Sequence, residues 1–433
     1  MNTTPLITDD TIVFGILMFS LGFVFYTSSS ENNGWIKFYK IVPALLMVYL
    51  LPALFTSVGI IAPEWETINQ IGEIVKQESN LYQVSSRYLL PAALILMTLS
   101  IDLKAMFNLG PKALIMFLTG TAGIIIGGPI AVLLISFISP ETVGGVGPDA
   151  VWRGLATLAG SWIGGGANQA AMLEIYEYNP KKYGGMVLVD IIVANLWTAI
   201  LLIGIGKSVK IDKWLKSDTS SIDTLKEKVS SYASKIERNP TLSDLIIILS
   251  IAFTVVGISH LGGNVISAFL VKNFKSVSDK SSAFSSFSSQ FFWMISIATL
   301  LGITLSFTKF KKYEGAGASK IGSLFVYILV ATIGMKMDLR KIVDNPGLIL
   351  IGIVWMTVHA LLLILVAKLI KAPFFFLAVG SQANVGGAAS APVIAAAFHP
   401  SLASVGVLLA VFGYVIGTYG AMLTAELMRI ITS

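Results

Sequence analysis

The chain of 433 residues contains no cysteine, three histidines and only 12% charged residues. The missing cysteines exclude disulfides, thiolate metal sites and thiol nucleophiles. His260, His359 and His399 lie far apart, and neither H-E-x-x-H nor G-x-x-x-x-G-K-[ST] occurs. G-x-S-x-G is also missing, so no hydrolase nucleophile elbow is present. The expectation is a protein that is not an enzyme and carries no cofactor. Soluble domains average about 25% charged residues, well above the share found here. The net charge of +6 comes from lysines scattered through short loops, with no basic patch interleaved with aromatics. That pattern argues against a nucleic-acid partner.

What the chain has in abundance is apolar length. It is 55% hydrophobic, with a mean hydropathy of +0.79. Runs of about 20 residues, long enough to cross a bilayer, recur throughout. They fall near 11–27, 37–58, 88–107, 113–138, 151–173, 184–206, 243–260, 287–308, 320–335, 347–370, 373–398 and 404–428. The reading is an all-α polytopic membrane protein whose solvent is the lipid bilayer, a multi-pass protein of a bacterial inner (plasma) membrane. The first run follows Asp9 and Asp10 instead of a basic segment, so it reads as a retained helix and not a signal peptide.

Two stretches break the apolar pattern in the same way. GSWIGGGANQAAM begins at Gly160, and GSQANVGGAASAP begins 220 positions later at Gly380. Ser161 matches Ser381, Gly166 matches Gly386, Ala171 matches Ala391, Pro180 matches Pro400 and Thr198 matches Thr418 at that one spacing. Upstream, Asp102-Leu103-Lys104 before Pro111 resembles Asp338-Leu339-Arg340 before Pro346. Each triplet closes one run shortly before the next begins. The ordered set predicts an internal duplication. The division is an extra N-terminal helix (1–36), a first transmembrane repeat (37–206), a polar linker (207–242), a connecting span (243–286) and a second repeat (287–433). Within the linker, Ile222, Leu225, Val229, Tyr232 and Ile236 have helical spacing and predict an amphipathic surface helix. Trp65, Ile68, Ile71 and Val75 predict a weaker one.

Duplicated halves with glycine-interrupted helices point to a secondary transporter site. Unwound backbone cannot be satisfied by lipid, so it survives only inside protein or against a water-filled cavity. Close packing through small residues explains the glycines alone. It does not explain Ser161, Asn168, Gln169, Ser381, Gln382 and Asn384 clustered with them. Asp190 adds a carboxylate inside the following apolar run, and intramembrane charges are functional candidates by default. A buried polar cap bonded to a neighbouring Ser or Thr is the other reading of Asp190. Glu426 and Arg429 are expected to pair, Glu174 to sit at a helix end, and His359 to be a packed hydrogen-bonder.

On these residues the chain resembles the YjcL-like bacterial membrane family, within the wider superfamily of cation/proton antiporters and anion transporters. The span–Asp-Leu-basic–Pro–span unit is similar to that of bile acid:sodium symporters, and AVGSQAN (378–384) resembles their E-x-G-x-Q-N sodium motif. The resemblance implies inverted repeats, a panel domain, and a core domain with two crossed discontinuous helices. It makes Gln382 a Na+ ligand and Asn384 a looser candidate. Ala378 replaces the motif's Glu, and Asn384 falls one position late.

The expected cation site is therefore Gln382, Asn384, Ser381, Asp190, Thr198 and Thr418. The expected solute site is Ser161, Gly164, Asn168, Gln169 and Ser390. The leading expectation is Na+-coupled (or H+-coupled) symport of a small organic anion by alternating access. The alternatives are a monovalent cation/proton antiporter and a non-transporting receptor or assembly factor. A homodimer stays open. Loop charge gives Lys104, Lys112, Lys181 and Lys182 a cytoplasmic side, and Glu64, Glu66 and Glu73 the outside, while the Lys-rich stretches 207–238 and 309–320 also ask for the cytoplasmic side. Twelve crossings would leave the halves parallel; inversion requires an odd number between them.

Overall fold

The computed structural model describes residues 5–68, 74–99, 109–218, 222, 239–279, 285–337, 339, 345–399 and 402–432. Polar caps and prolines punctuate the apolar runs. Asp9 accepts from the N–H groups of Thr11 and Ile12 to open α1 (Asp10–Ser28). After α2 (Asn33–Ile41), Pro43 precedes α3 (Ala44–Ser57). β1 (Glu64–Ile68) and β2 (Ile74–Glu78) pair antiparallel before α4 (Leu90–Leu99). Pro111 begins α5 (Pro111–Ile138), where its missing N–H costs nothing. Then come α6 (Val151–Tyr176), α7 (Tyr183–Ile205) and α8 (Ser208–Leu215). A reciprocal Thr241–Asp244 capping box opens α9 (Leu242–Asn273). The chain continues through α10 (Gln290–Ser306), α11 (Ala318–Lys336), α12 (Gly347–Leu369), α13 (Phe374–Val385), α14 (Gly387–Phe398) and α15 (Ala403–Thr432). Among the described residues, seven helices are long and apolar enough to cross a membrane, nine if two bent pairs each count as one span. The chain is a helical, multi-pass membrane protein.

The two polar-glycine stretches do not run through the molecule. At Gly165 the backbone adopts φ 72° and ψ −173°, a region open to glycine alone. The segment folds back there. Trp152 and Tyr176, at its two ends, stack edge to face with ring centroids 5.3 Å apart. The Arg153 guanidinium donates to the Tyr176 carbonyl. The second stretch turns at Gly386 and Gly387, the latter at φ 56°. Phe375 and Phe398 then meet at 5.2 Å. Each stretch is thus a helical hairpin. Both stretches are interrupted at glycine; in place of the expected crossing, each chain segment folds back on itself, at Gly165 in the first and at Gly386 and Gly387 in the second. Replacing Gly165 by alanine forces a Cβ into that backbone region. The expected loss is about 1–3 kcal/mol of stability, read as a lowered thermal midpoint.

The hairpins enter from opposite ends and meet at their tips. The first has its base beside β1–β2, where Glu174 accepts from Tyr82 and pairs with Arg87 at 3.4 Å. The second has its base at the other end, where the Phe374 N–H donates to Asp212 of α8 at 2.8 Å. A Cβ added to Gly387 would stand 3.9 Å from the Gly165 Cα. Around them the helices pack as two sets. One holds α1, α3, α4, α9, α10 and α11; the other holds α5, α7, α12, α15 and both hairpins.

Three further expectations change. Residues 64–68 and 74–78 form a strand pair, not an amphipathic helix, and Ile71 lies outside the described residues. Glu66 faces Lys76 and Thr67 faces Val75 across the ladder, and such opposite-charge pairs favour a sheet. Lys181 does not share an end with Lys112. It donates to Glu64 at the sheet end, holding that carboxyl below its ordinary range, whereas Lys112 donates to the Lys371 carbonyl at the other. The linker reading rested largely on residues outside those described, as do Asp102, Lys104, Asp338, Arg340 and Pro400.

Candidate functional site

A cavity of about 410 Å3 opens where the two hairpin tips face the other helix set. Ser161, Gln169, Asp190, Thr198, Gln382 and Ser390 line it with Gly165, Gly166, Gly386 and Gly387. Six of the eleven expected site residues therefore share one wall. Tyr49 of α3, Ser323 and Tyr327 of α11, and Tyr414 of α15 close it from other sides. Among the described residues, Asp190 is the one charged group in the lining.

Asp190 sits two turns into α7, against the first hairpin. One carboxylate oxygen accepts from Ser161 Oγ at 2.6 Å and Gln169 Nε2 at 3.1 Å. The other accepts from Trp162 Nε1 at 2.7 Å. Three donors, all neutral, hold the carboxylate without cancelling its charge. Both sequence readings of Asp190 meet here: it is bonded to a neighbouring serine, and it also faces the cavity.

Gln382 occupies the matching place on the second hairpin. Its Nε2 donates to Ser390 Oγ at 2.7 Å and to Thr198 Oγ1 at 2.9 Å. Thr198 Oγ1 already gives its own proton to the Ala194 carbonyl at 2.8 Å. It can therefore only accept from Gln382, which fixes the amide's orientation. The Oε1 is left buried with no hydrogen-bond partner. A bare carbonyl oxygen in such a place is costly unless something fills it.

The remaining expected residues are spent inside the protein and lie outside the cavity lining. Asn384 donates to the Phe117 and Gly380 carbonyls at 3.0 and 2.9 Å, and accepts from Thr121 at 2.7 Å. That uses both donors and ties α13 to α5. Ser381 accepts from Trp197 Nε1 at 2.8 Å and contacts His359 Nε2 at 2.8 Å. Because His359 Nδ1 faces the Gly120 carbonyl at 2.9 Å, it must carry the ring proton, and Ser381 donates to Nε2. Asn168 donates to the Gly164 carbonyl at 2.8 Å and accepts from Thr418 at 2.6 Å. Gly164 lies against Gly417, where a Cβ would be 2.7 Å from the Gly164 Cα. Hairpin and α15 touch there backbone to backbone. Asn168→Ala is accordingly expected to lower thermal stability while leaving cation and solute affinity unchanged. Parallel melting and binding titrations check this. Glu426 is paired with Arg429 at 2.8 Å.

Sequence reading missed Trp162, the cavity's tyrosines and Ser323. A signal for the hairpins was present. Ser161 and Gln169 are eight apart and bond the same α7 side chain; Gln382 and Ser390 are also eight apart and bond each other. In a straight helix eight residues span about 12 Å, so such polar pairs converge only if the chain folds back between them.

Residues 15–431 match the family described as "Protein of unknown function (DUF819)". The chain is 26% identical over 357 residues to the "Uncharacterized membrane protein YjcL" of Bacillus subtilis (strain 168), covering 80% of this chain and 83% of that relative.

Proposed function

We propose that this chain, which belongs to the DUF819 family, is a secondary active transporter in which a Na+ (or H+) gradient drives a small solute by alternating access. The observation that carries the reading is the meeting of two helical hairpins, from opposite ends, beside a cavity with a carboxylate. Interrupted helices meeting at a polar site suit a transporter's binding centre. Irregular backbone at that depth is tolerable where it lines a cavity. Asp190 and the bare Gln382 carbonyl supply oxygen ligands of the kind a monovalent cation needs.

Inverted repeats follow naturally. The series α1, α3, α4, α5, first hairpin, α7 has the same order as α9, α10, α11, α12, second hairpin, α15. With each hairpin counted as non-crossing, every half crosses an odd number of times, which inverts the second. The repeats then extend beyond 37–206 and 287–433 to take in α1 and α9. The first helix set serves as the panel and the second as the core. Lys112, Lys210, Lys213, Lys311 and Lys371 gather at the end away from the sheet, which the positive-inside rule makes cytoplasmic in a bacterial plasma membrane.

Symport of an organic anion would rest on the N–H groups at the hairpin tips, since no Lys, Arg or His lines the cavity among the described residues. Cation exchange has a specific observation in its favour: a lone, uncompensated carboxylate holds one monovalent cation at a time. Thermal stabilisation of the purified protein tests cation coupling. A shift with Na+ but not K+ supports Na+; a response to pH alone supports H+. Silence to every ion favours the receptor or assembly-factor reading.

A further inference from the structure

The cavity's polar groups are unbalanced in kind. Asp190 brings negative charge with three neutral donors and no cation beside it. Gln382 brings an acceptor whose orientation is set by the Thr198 hydroxyl and whose lone pairs are unused. Tyr49, Tyr327 and Tyr414 add aromatic surface. A solute carboxylate entering here would meet another carboxylate beside a buried amide oxygen, and would strip water from Asp190 without replacing it. A protonated amine meets the opposite conditions. It donates up to three hydrogen bonds, it neutralises Asp190, and tyrosine faces attract it.

We infer that the solute is a small organic amine, bound as the ammonium ion with its N–H groups shared between Asp190 and the Gln382 carbonyl side of the cavity. This rests on the reading of the cavity as the transport site. A volume of about 410 Å3 suits a compact solute, at the lower end of the range for small-molecule sites. Transport of such an amine against Na+ or H+ would be exchange at one carboxylate: the arriving ammonium takes the place of the departing cation.

The test is calorimetric titration of the full-length protein in lipid nanodiscs with n-butylammonium, 1,4-diaminobutane, butyrate and succinate. At least one amine is expected to bind while the carboxylates do not. Asp190→Asn should weaken that binding by about tenfold or more, as should Gln382→Met, which keeps size and removes the carbonyl. Asp190→Glu should restore part of it, and this conservative variant guards against a folding defect in the first. Binding of the carboxylates alone, no binding by either amine, or amine affinity unchanged in both Asp190→Asn and Gln382→Met overturns the assignment. The transport reading is separable: amine binding without counterflow in proteoliposomes removes transport and leaves the ligand class standing, whereas gradient-driven uptake of succinate does the reverse.

Discussion

Asp190→Asn is expected to reduce cation-coupled uptake in proteoliposomes to background, while the variant inserts and melts close to the parent. The charge is what the site loses. A hydrogen bond to a charged group contributes about 1.5–3 kcal/mol, which is one to two decades of affinity at about 1.4 kcal/mol per decade. Coupling suffers more than binding, because a neutral amide no longer has a net charge for the cation to compensate. The fold tolerates the change for a local reason. Trp162 can still donate to the amide oxygen, the Ser161 hydroxyl can rotate to accept, and Gln169 can present its own oxygen after a flip. Wild-type uptake with wild-type ion dependence would leave Asp190 a structural cap alone.

Gln382→Ala is expected to weaken binding of the coupling cation or the solute at least tenfold, with a small change in melting temperature. The side chain spans the second hairpin, joining Ser390 to Thr198, and keeps a buried, unpartnered oxygen at the cavity wall. Truncation removes two neutral interhelical hydrogen bonds, each averaging about 0.6 kcal/mol in membrane proteins. The loss of the oxygen falls on a ligand that has shed its water, and costs more. A large drop in stability with affinity intact would place Gln382 with Asn168, whose bonds are all internal.

Much of this arrangement was legible in the chain. Apolar length gave the helices, because a bilayer demands it, and within the described residues the apolar runs from 11–27 to 404–428 are largely helical. The matched stretches at Gly160 and Gly380 marked the two hairpins, since glycine beside Ser, Asn and Gln has no reason to recur in lipid-facing sequence. What could not be read was their direction. A glycine permits both a kink and a reversal, and only contacts far apart in sequence, such as Trp152 with Tyr176, distinguish them. That one choice changed the count of crossings and misplaced Lys181. The division of labour among the amides was hidden for a similar reason. Asn168, Gln169, Gln382 and Asn384 are equivalent in sequence. Which of them faces the cavity depends on the rotation of each hairpin arm against α5, α7 and α15. Strand pairing of 64–68 with 74–78 was hidden by four apolar residues whose spacing also fits a helix.

In the transporter proposed above, the space between the hairpin tips would communicate with each side of the membrane in turn. Because the chain has no cysteine, Ser390→Cys places a single thiol at that point. The decisive measurement is its labelling by a membrane-impermeant maleimide from each side of oriented proteoliposomes, with and without the coupling cation. The expected result is that the side from which Ser390→Cys reacts changes with the cation present. Labelling confined to the same side under every condition would contradict it.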